Sequence, residues 1–139
     1  MRQLAFLDAG TIHQHFLRDP PVKIEELFKA IERGDIHAIV PEQVLVEVYK
    51  QICVESGKEQ ASVVVNTIYS GGDIEVRPIS KDIVIDAGKL KCQHRDVISY
   101  NDAIIMAMTI KEKATMHTTE KQLPKITGLN VVKYTFDEK

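Results

Sequence analysis

Residues 99–123, S-Y-N-D-A-I-I-M-A-M-T-I-K-E-K-A-T-M-H-T-T-E-K-Q-L, constrain the fold of this chain more than any other stretch. Every residue from Ala103 to Met108 is apolar and Ile110 continues the run, so a helix here is apolar most of the way round and belongs inside the fold. Asp102 stands at its entrance. Residues 114–118 then read as a short strand that hands over to Thr119, Glu120, Lys121 and Gln122. The order carboxylate, buried helix, short strand, carboxylate brings two acids to one rim, because open α/β sheets gather ligands beyond the carboxyl ends of their strands. Acids that converge on a buried rim need a cation.

The rest of the chain fits around that unit. Residues 4–7 form an apolar run that stops at Asp8-Ala9-Gly10, as a central parallel strand meeting its first turn does. A helix is expected over 11–17, ended by Asp19-Pro20-Pro21, and a second carries Ile24, Leu27, Phe28 and Ile31 up to Gly34. Residues 37–40 read as the next strand. Pro41 fits a first helical position, ahead of a buried stripe of Val44, Leu45, Val48 and Ile52. Gly57 separates that helix from another, with Ala61, Val64, Val65 and Ile68 facing inward and Gly71-Gly72 at its end. A strand over 74–79, a helix from Ser80 with Ile83, Ala87 and Leu90, a polar connection over 91–97 and a last strand over 129–134 complete the pattern. Strands repeatedly separated by helices indicate an α/β fold with a mostly parallel sheet.

A length of 139 residues fits one domain, 1–139, able to bury a core without staples. The formal charge of -2 provides no global positive field, so any phosphate contact must come from local Lys and Arg or through metal. Cys53 and Cys92 lack C-x-x-C spacing and read as small buried hydrophobes in a reducing compartment. Asp8 interrupts the first apolar run too early for a signal peptide, and no run approaches the ~18 residues of a membrane span. A cytoplasmic location is the expectation.

Each acid has two readings. Asp8 is either an Asx turn or helix cap, or a site residue. Glu47 interrupts an apolar stretch, yet Gln43, Lys50 and Gln51 share a polar face with it, and Lys50 stands at i+3 for an ion pair. Asp102 completes Ser99-x-x-Asp102, a capping box with Asp in place of Glu. The helix it opens is buried, however, and an unpaired carboxylate there costs desolvation, which favours function. Glu120 either starts a turn before Pro124 or joins the rim. The five histidines show no zinc-type spacing.

Taken together, the acids and their surroundings resemble the PIN domain family of metal-dependent ribonucleases, many of which are VapC-type toxins. The resemblance rests on L-A-F-L-D-A-G with Asp8, I-V-P-E-Q-V-L-V-E-V-Y with Glu47, I-S-Y-N-D-A-I-I-M-A-M with Asp102, and A-T-M-H-T-T-E-K-Q-L with Glu120. Two departures stand out: Glu120 and Gln122 occupy places where the family usually has Asp. Further, Ala9-Gly10 follow the first acid where a hydroxyl is frequent, and Thr11 comes only later. The resemblance implies a three-layer α/β/α sandwich with an acidic pocket at the strand ends. Homodimers and, for the toxin branch, an antitoxin that blocks the pocket are implied as well.

The implied chemistry suits these residue types. Phosphodiester hydrolysis needs an activated water and a counter-charge for the phosphate oxygens, and a bound divalent metal supplies both. Mg²⁺ and Mn²⁺ prefer hard oxygen ligands. Asp8 and Asp102 are the expected direct ligands, with Glu47 and Glu120 reaching metal through water or orienting the attacking water. Lys89, Lys91, Arg95 and Lys121 are the basic candidates for RNA phosphates, though any one of them also reads as ordinary solvated charge. A PIN-type module that binds RNA or protein without cleaving is the alternative that Glu120 and Gln122 raise. A receiver-like phosphoacceptor domain is disfavoured, because Val76-Arg77-Pro78-Ile79 offers no acid at the end of the middle strand.

Overall fold

The computed structural model describes residues 2–136. In chain order the elements are β1 (Gln3–Leu7), α1 (Ala9–His15), α2 (Val22–Glu32), β2 (Ile36–Pro41), α3 (Val44–Ser56) and α4 (Lys58–Gly71). They continue with β3 (Ile74–Arg77), α5 (Lys81–Gln93), α6 (Tyr100–Lys111), β4 (Thr115–Thr118) and β5 (Asn130–Lys133). The strands form one parallel sheet in the order β3-β2-β1-β4-β5. The chain therefore walks outward from β1 to β3, then returns to lay β4 against the other side of β1. Right-handed crossovers put the helices of these two walks on opposite faces of the sheet. The packing agrees: α5 lies on α6, which covers β1, β2 and β4, while α1 to α4 touch one another and reach the sheet through β2 and β3. A three-layer α/β/α sandwich results, as the family resemblance implies, with the parallel sheet that the alternation of strands and helices indicates.

The reversal makes the gap between the ends of β1 and β4 a topological switch point, where ligands of such sheets bind. The interior on either side is apolar: Phe6, Ile39 and Met116 from the three central strands and Ile105 and Met106 from α6 have no exposed surface. Each such side chain contributes about 1.5–3 kcal/mol by leaving water, so α6 is held in place chiefly by its buried faces. Its far end is fastened by charge. Arg77 on β3 donates to Glu75 Oε2 at 2.7 Å and pairs with Glu112, the residue that caps the end of α6. The hydrogen bond from Arg77 holds the Glu75 carboxyl below its ordinary range, with His37 assisting. With one end pinned at β3, the other end of α6 delivers Asp102 to the switch point.

Several boundaries differ from the sequence expectation. Pro41 does not open a helix; it ends β2 and pairs with Arg77, and α3 begins at Val44. The pairing of β2 with β1 stops at Ile39, so beyond it the missing N–H of proline loses no ladder bond on that side. Helix α1 starts at Ala9 rather than Thr11, because Asp8 itself is the cap. Helix α5 runs to Gln93, into the expected polar connection. The strand expected over 74–79 stops at Arg77, just before Pro78. Cys92 is exposed rather than buried, and both cysteines are free.

Candidate functional site

Asp8 follows β1 directly and is 4% exposed. Its Oδ1 accepts from the Thr11 N–H at 2.8 Å and from the Thr11 hydroxyl at 2.7 Å. Its Oδ2 accepts from the Thr118 hydroxyl at 2.6 Å and from the Thr119 N–H at 3.1 Å. The cap reading of Asp8 is therefore met, and the same side chain also joins the ends of β1 and β4. Thr11 supplies the hydroxyl that Ala9-Gly10 lack in sequence, because one turn of helix brings it back over its cap. Thr118 Oγ1 in turn accepts from the Glu120 N–H at 2.9 Å, which shapes the chain just past β4.

Gly10 is part of the same junction. A Cβ there would lie 2.0 Å from Thr119 Oγ1 and 3.2 Å from Thr119 Cβ. Helix α1 can approach the end of β4 this closely only with glycine at that position. Gly10→Ala is expected to push Thr119 away, break its bond to Asp8 and destabilise the protein by about 1–3 kcal/mol, read as a lower urea midpoint.

Asp102 is 7% exposed and makes the expected capping box: Ser99 Oγ accepts from the Asp102 N–H at 3.0 Å, and Asp102 Oδ2 accepts from the Ser99 N–H at 3.5 Å. The box does not satisfy its charge. Burial first, then the charge of Glu120 and more weakly that of Asp8, push the Asp102 carboxyl up to about 6, overcoming the lowering effect of the Ser99 bonds. Glu120 is exposed and lies in irregular chain rather than a helical turn. Partial burial, then the charges of Asp8 and Glu47, raise its carboxyl above the ordinary range. Glu47 is half-buried on α3, where Oε1 accepts from Asn101 Nδ2 at 2.9 Å and Oε2 accepts from Gln51 Nε2 at 3.3 Å. The i+3 pairing with Lys50 is not formed; Gln43 and Lys50 on that face are exposed as expected, while Glu47 reaches across to α6. The four acids thus act on one another electrostatically.

Among the described residues, no group of three or more His, Cys, Asp or Glu side chains is gathered tightly enough to close around an ion. The donor set still fits a hydrated divalent cation. It is built of carboxylate oxygen, two members are raised by burial and then by like charge, and Mg²⁺ keeps several waters while taking one or two carboxylates.

The basic candidates separate. The Lys91 ammonium donates to the carbonyls of Arg95 at 2.7 Å and Ile98 at 2.6 Å and sits 4.9 Å from the centre of the Tyr100 ring, so it mainly braces the connection between α5 and α6. Arg95 lines the same groove beside the first turn of α6. Lys89 faces Asp82, Asp86 and Lys111, near the opposite end of α6 from Asp102. Lys121 is exposed next to Glu120, and its carbonyl accepts from Lys133 Nζ at 3.2 Å. Thr118 and Asn101, which contact acids directly, are missed by sequence reasoning; a hydroxyl at a strand end and an amide beside an acid were the signals available.

The comparisons with known proteins agree with this architecture. A family model described as the PIN domain matches residues 5–129. No curated protein matches the sequence. Among solved structures, VapBC2 of Rickettsia felis, bound to a promoter DNA fragment, superposes with a TM-score of 0.71 at 20% identity, covering 97% of this chain and 100% of that one. DNA-bound VapBC of Salmonella typhimurium gives 0.70 at 17% identity, covering 96% and 98%. VapC20 of Mycobacterium tuberculosis, a toxin that cleaves the sarcin-ricin loop, gives 0.66 at 14% identity, covering 80% and 85%. At these identities the structures speak for the fold, and the match over residues 5–129 decides the family: this chain belongs to the PIN domain family.

Proposed function

We propose that this protein is a divalent-metal-dependent endoribonuclease and that it serves as the toxin of a toxin–antitoxin pair. The observation that carries the catalytic reading is geometric: Asp8 is held between the ends of β1 and β4 while Asp102 is buried at the start of α6, and burial first, then neighbouring carboxylates, raise the carboxyls of both Asp102 and Glu120. A cation there would offset the like charge of these carboxylates, a repulsion that strengthens as water is excluded from between them. Asp102 and Glu120 would hold Mg²⁺ or Mn²⁺, Asp8 would join them by exchanging a threonine hydroxyl for the ion, and Glu47 would reach it through water. When bound, the metal would acidify a water and counter the charge on the phosphate oxygens.

The protein supplies the frame. Thr11, Thr118 and the Thr119 N–H keep Asp8 fixed, and the capping box holds Asp102 at the mouth of α6. Arg95 and Lys121 are the basic groups best placed for RNA phosphates. The toxin assignment draws support from similar folds described as toxin–antitoxin assemblies. An antitoxin protein and a second copy of the chain are the partners this reading carries.

Purified protein with mixed RNA and Mn²⁺ is expected to produce discrete fragments, and EDTA is expected to abolish them. RNA left intact under all conditions would favour the second reading, a PIN domain that binds without cleaving. Gln122, which gives up an anion, and the loose spacing of the acids favour that reading. Raising salt should weaken RNA binding with a log-log slope of about 0.7 per phosphate contact on a single strand.

A further inference from the structure

We propose that Asn101 is a positioning residue: its side-chain amide aims the Glu47 carboxylate into the acidic pocket, and that aim sets how tightly the pocket holds a divalent cation. The inference rests on the metal-dependent reading above.

Asn101 Nδ2 donates to Glu47 Oε1 at 2.9 Å, linking residues 54 positions apart in the chain. The two residues come from helices on opposite layers of the sandwich, so the bond ties the starts of α3 and α6 together beyond the strand ends. Gln51, one turn along α3, donates to the other oxygen at 3.3 Å. A glutamate on a helix surface has several rotamers, and holding it in one has an entropic cost that two directed hydrogen bonds offset. Without them, Glu47 is free to swing towards Lys50 or solvent.

The chemistry of the donor matters as much as its position. Asn101 and Gln51 offer neutral amides, the only part of those side chains that can face a carboxylate as a donor. They orient Glu47 without cancelling its charge, whereas Lys or Arg in place of Asn101 would neutralise it and repel a cation. The Glu47 carboxylate is held by the residue next to Asp102, so its charge lies beside the start of α6 that carries that acid. Asn101 also directly precedes Asp102 in the first turn of α6, which the Ser99 capping box fixes. One helix start therefore places one acid through the chain and a second through an amide.

Binding of Mn²⁺ alone to the full chain, followed by the EPR signal of the free ion, tests this without relying on catalysis. Asn101→Leu, close to isosteric but unable to donate, is expected to weaken Mn²⁺ binding about 10- to 100-fold, the usual effect of removing a partner that orients a metal ligand. Its melting temperature in EDTA should stay close to that of the wild type. Asn101→Ala, which favours helix, should show the same loss, so a folding failure in one variant leaves the other to decide. In a Glu47→Ala background, Asn101→Leu should have no further effect on Mn²⁺ binding. Undiminished Mn²⁺ binding by both Asn101 variants overturns the inference, and so does a full additional loss on top of Glu47→Ala. If the wild type binds Mn²⁺ and cleaves RNA in those cases, the proposed function survives and the role of Asn101 alone is lost. A wild type that binds no Mn²⁺ overturns both.

Discussion

Asp102→Asn is expected to abolish RNA cleavage while making the metal-free protein more stable. The two effects have one cause. Asp102 is buried beside Glu120 and Asp8, and burial with like charge lifts its carboxyl to about 6, against 3.8 for an ordinary aspartate. The folded state therefore holds the Asp102 proton more tightly than the unfolded chain does. In EDTA this contribution is most favourable below pH 3.8, declines as pH rises from 3.8 to about 6, and is fully lost above that. At pH 7.5 the ionised carboxylate is thus a burden, and the neutral amide of Asn removes about 2 kcal/mol of it. Thermal melts in EDTA should show Asp102→Asn above wild type at pH 7.5 and the gap closing towards pH 4. Cleavage should fall by roughly 10³-fold, as expected when several kcal/mol of metal-based stabilisation are lost. If Asp102 were only a cap, Asp102→Asn would change stability little at any of these pH values and Asp102→Ala would cost about 0.5–2 kcal/mol.

Asp8→Asn should move stability the other way, although it is the same change in the same pocket. Asp8 accepts four hydrogen bonds, two from backbone N–H groups and two from threonine hydroxyls, on a side chain that is 4% exposed. A carboxylate has about four acceptor positions, and all of them are engaged. An asparagine amide must turn its NH₂ towards one of these pairs of donors, leaving buried groups unpaired. The expected loss is about 2–4 kcal/mol, visible as a large drop in urea midpoint with or without metal. Activity falls too, so the diagnostic result is the pair of opposite stability changes. Equal changes for the two variants would mean that the pocket is not the charged cluster described above.

Much of this was legible in the chain itself. The apolar run that makes α6 buried, the strand runs ending in acids and the capping box at Ser99 are local patterns, and the structure carries them. Element ends were harder to read. Pro41 looks like a helix opener because its fixed φ suits one, yet the register lets it close β2 beyond the last bond to β1. The environment of Glu47 could be read only in part: Gln51 does bond to it, whereas the expected pairing with Lys50 is not formed. Periodicity groups it with Lys50 and Gln51, and its strongest partner, Asn101, lies on another layer. Thr118 was hidden for a similar reason: its hydroxyl matters only because β4 returns to the side of β1 and meets Asp8.

A crystal soaked in Mn²⁺ and measured at the manganese edge tests the central claim most directly. An anomalous peak among the carboxylates of Asp8, Asp102 and Glu120, lost in Asp102→Asn crystals, is the predicted result. A pocket that stays empty at Mn²⁺ concentrations supporting cleavage, or a peak elsewhere on the molecule, would contradict it.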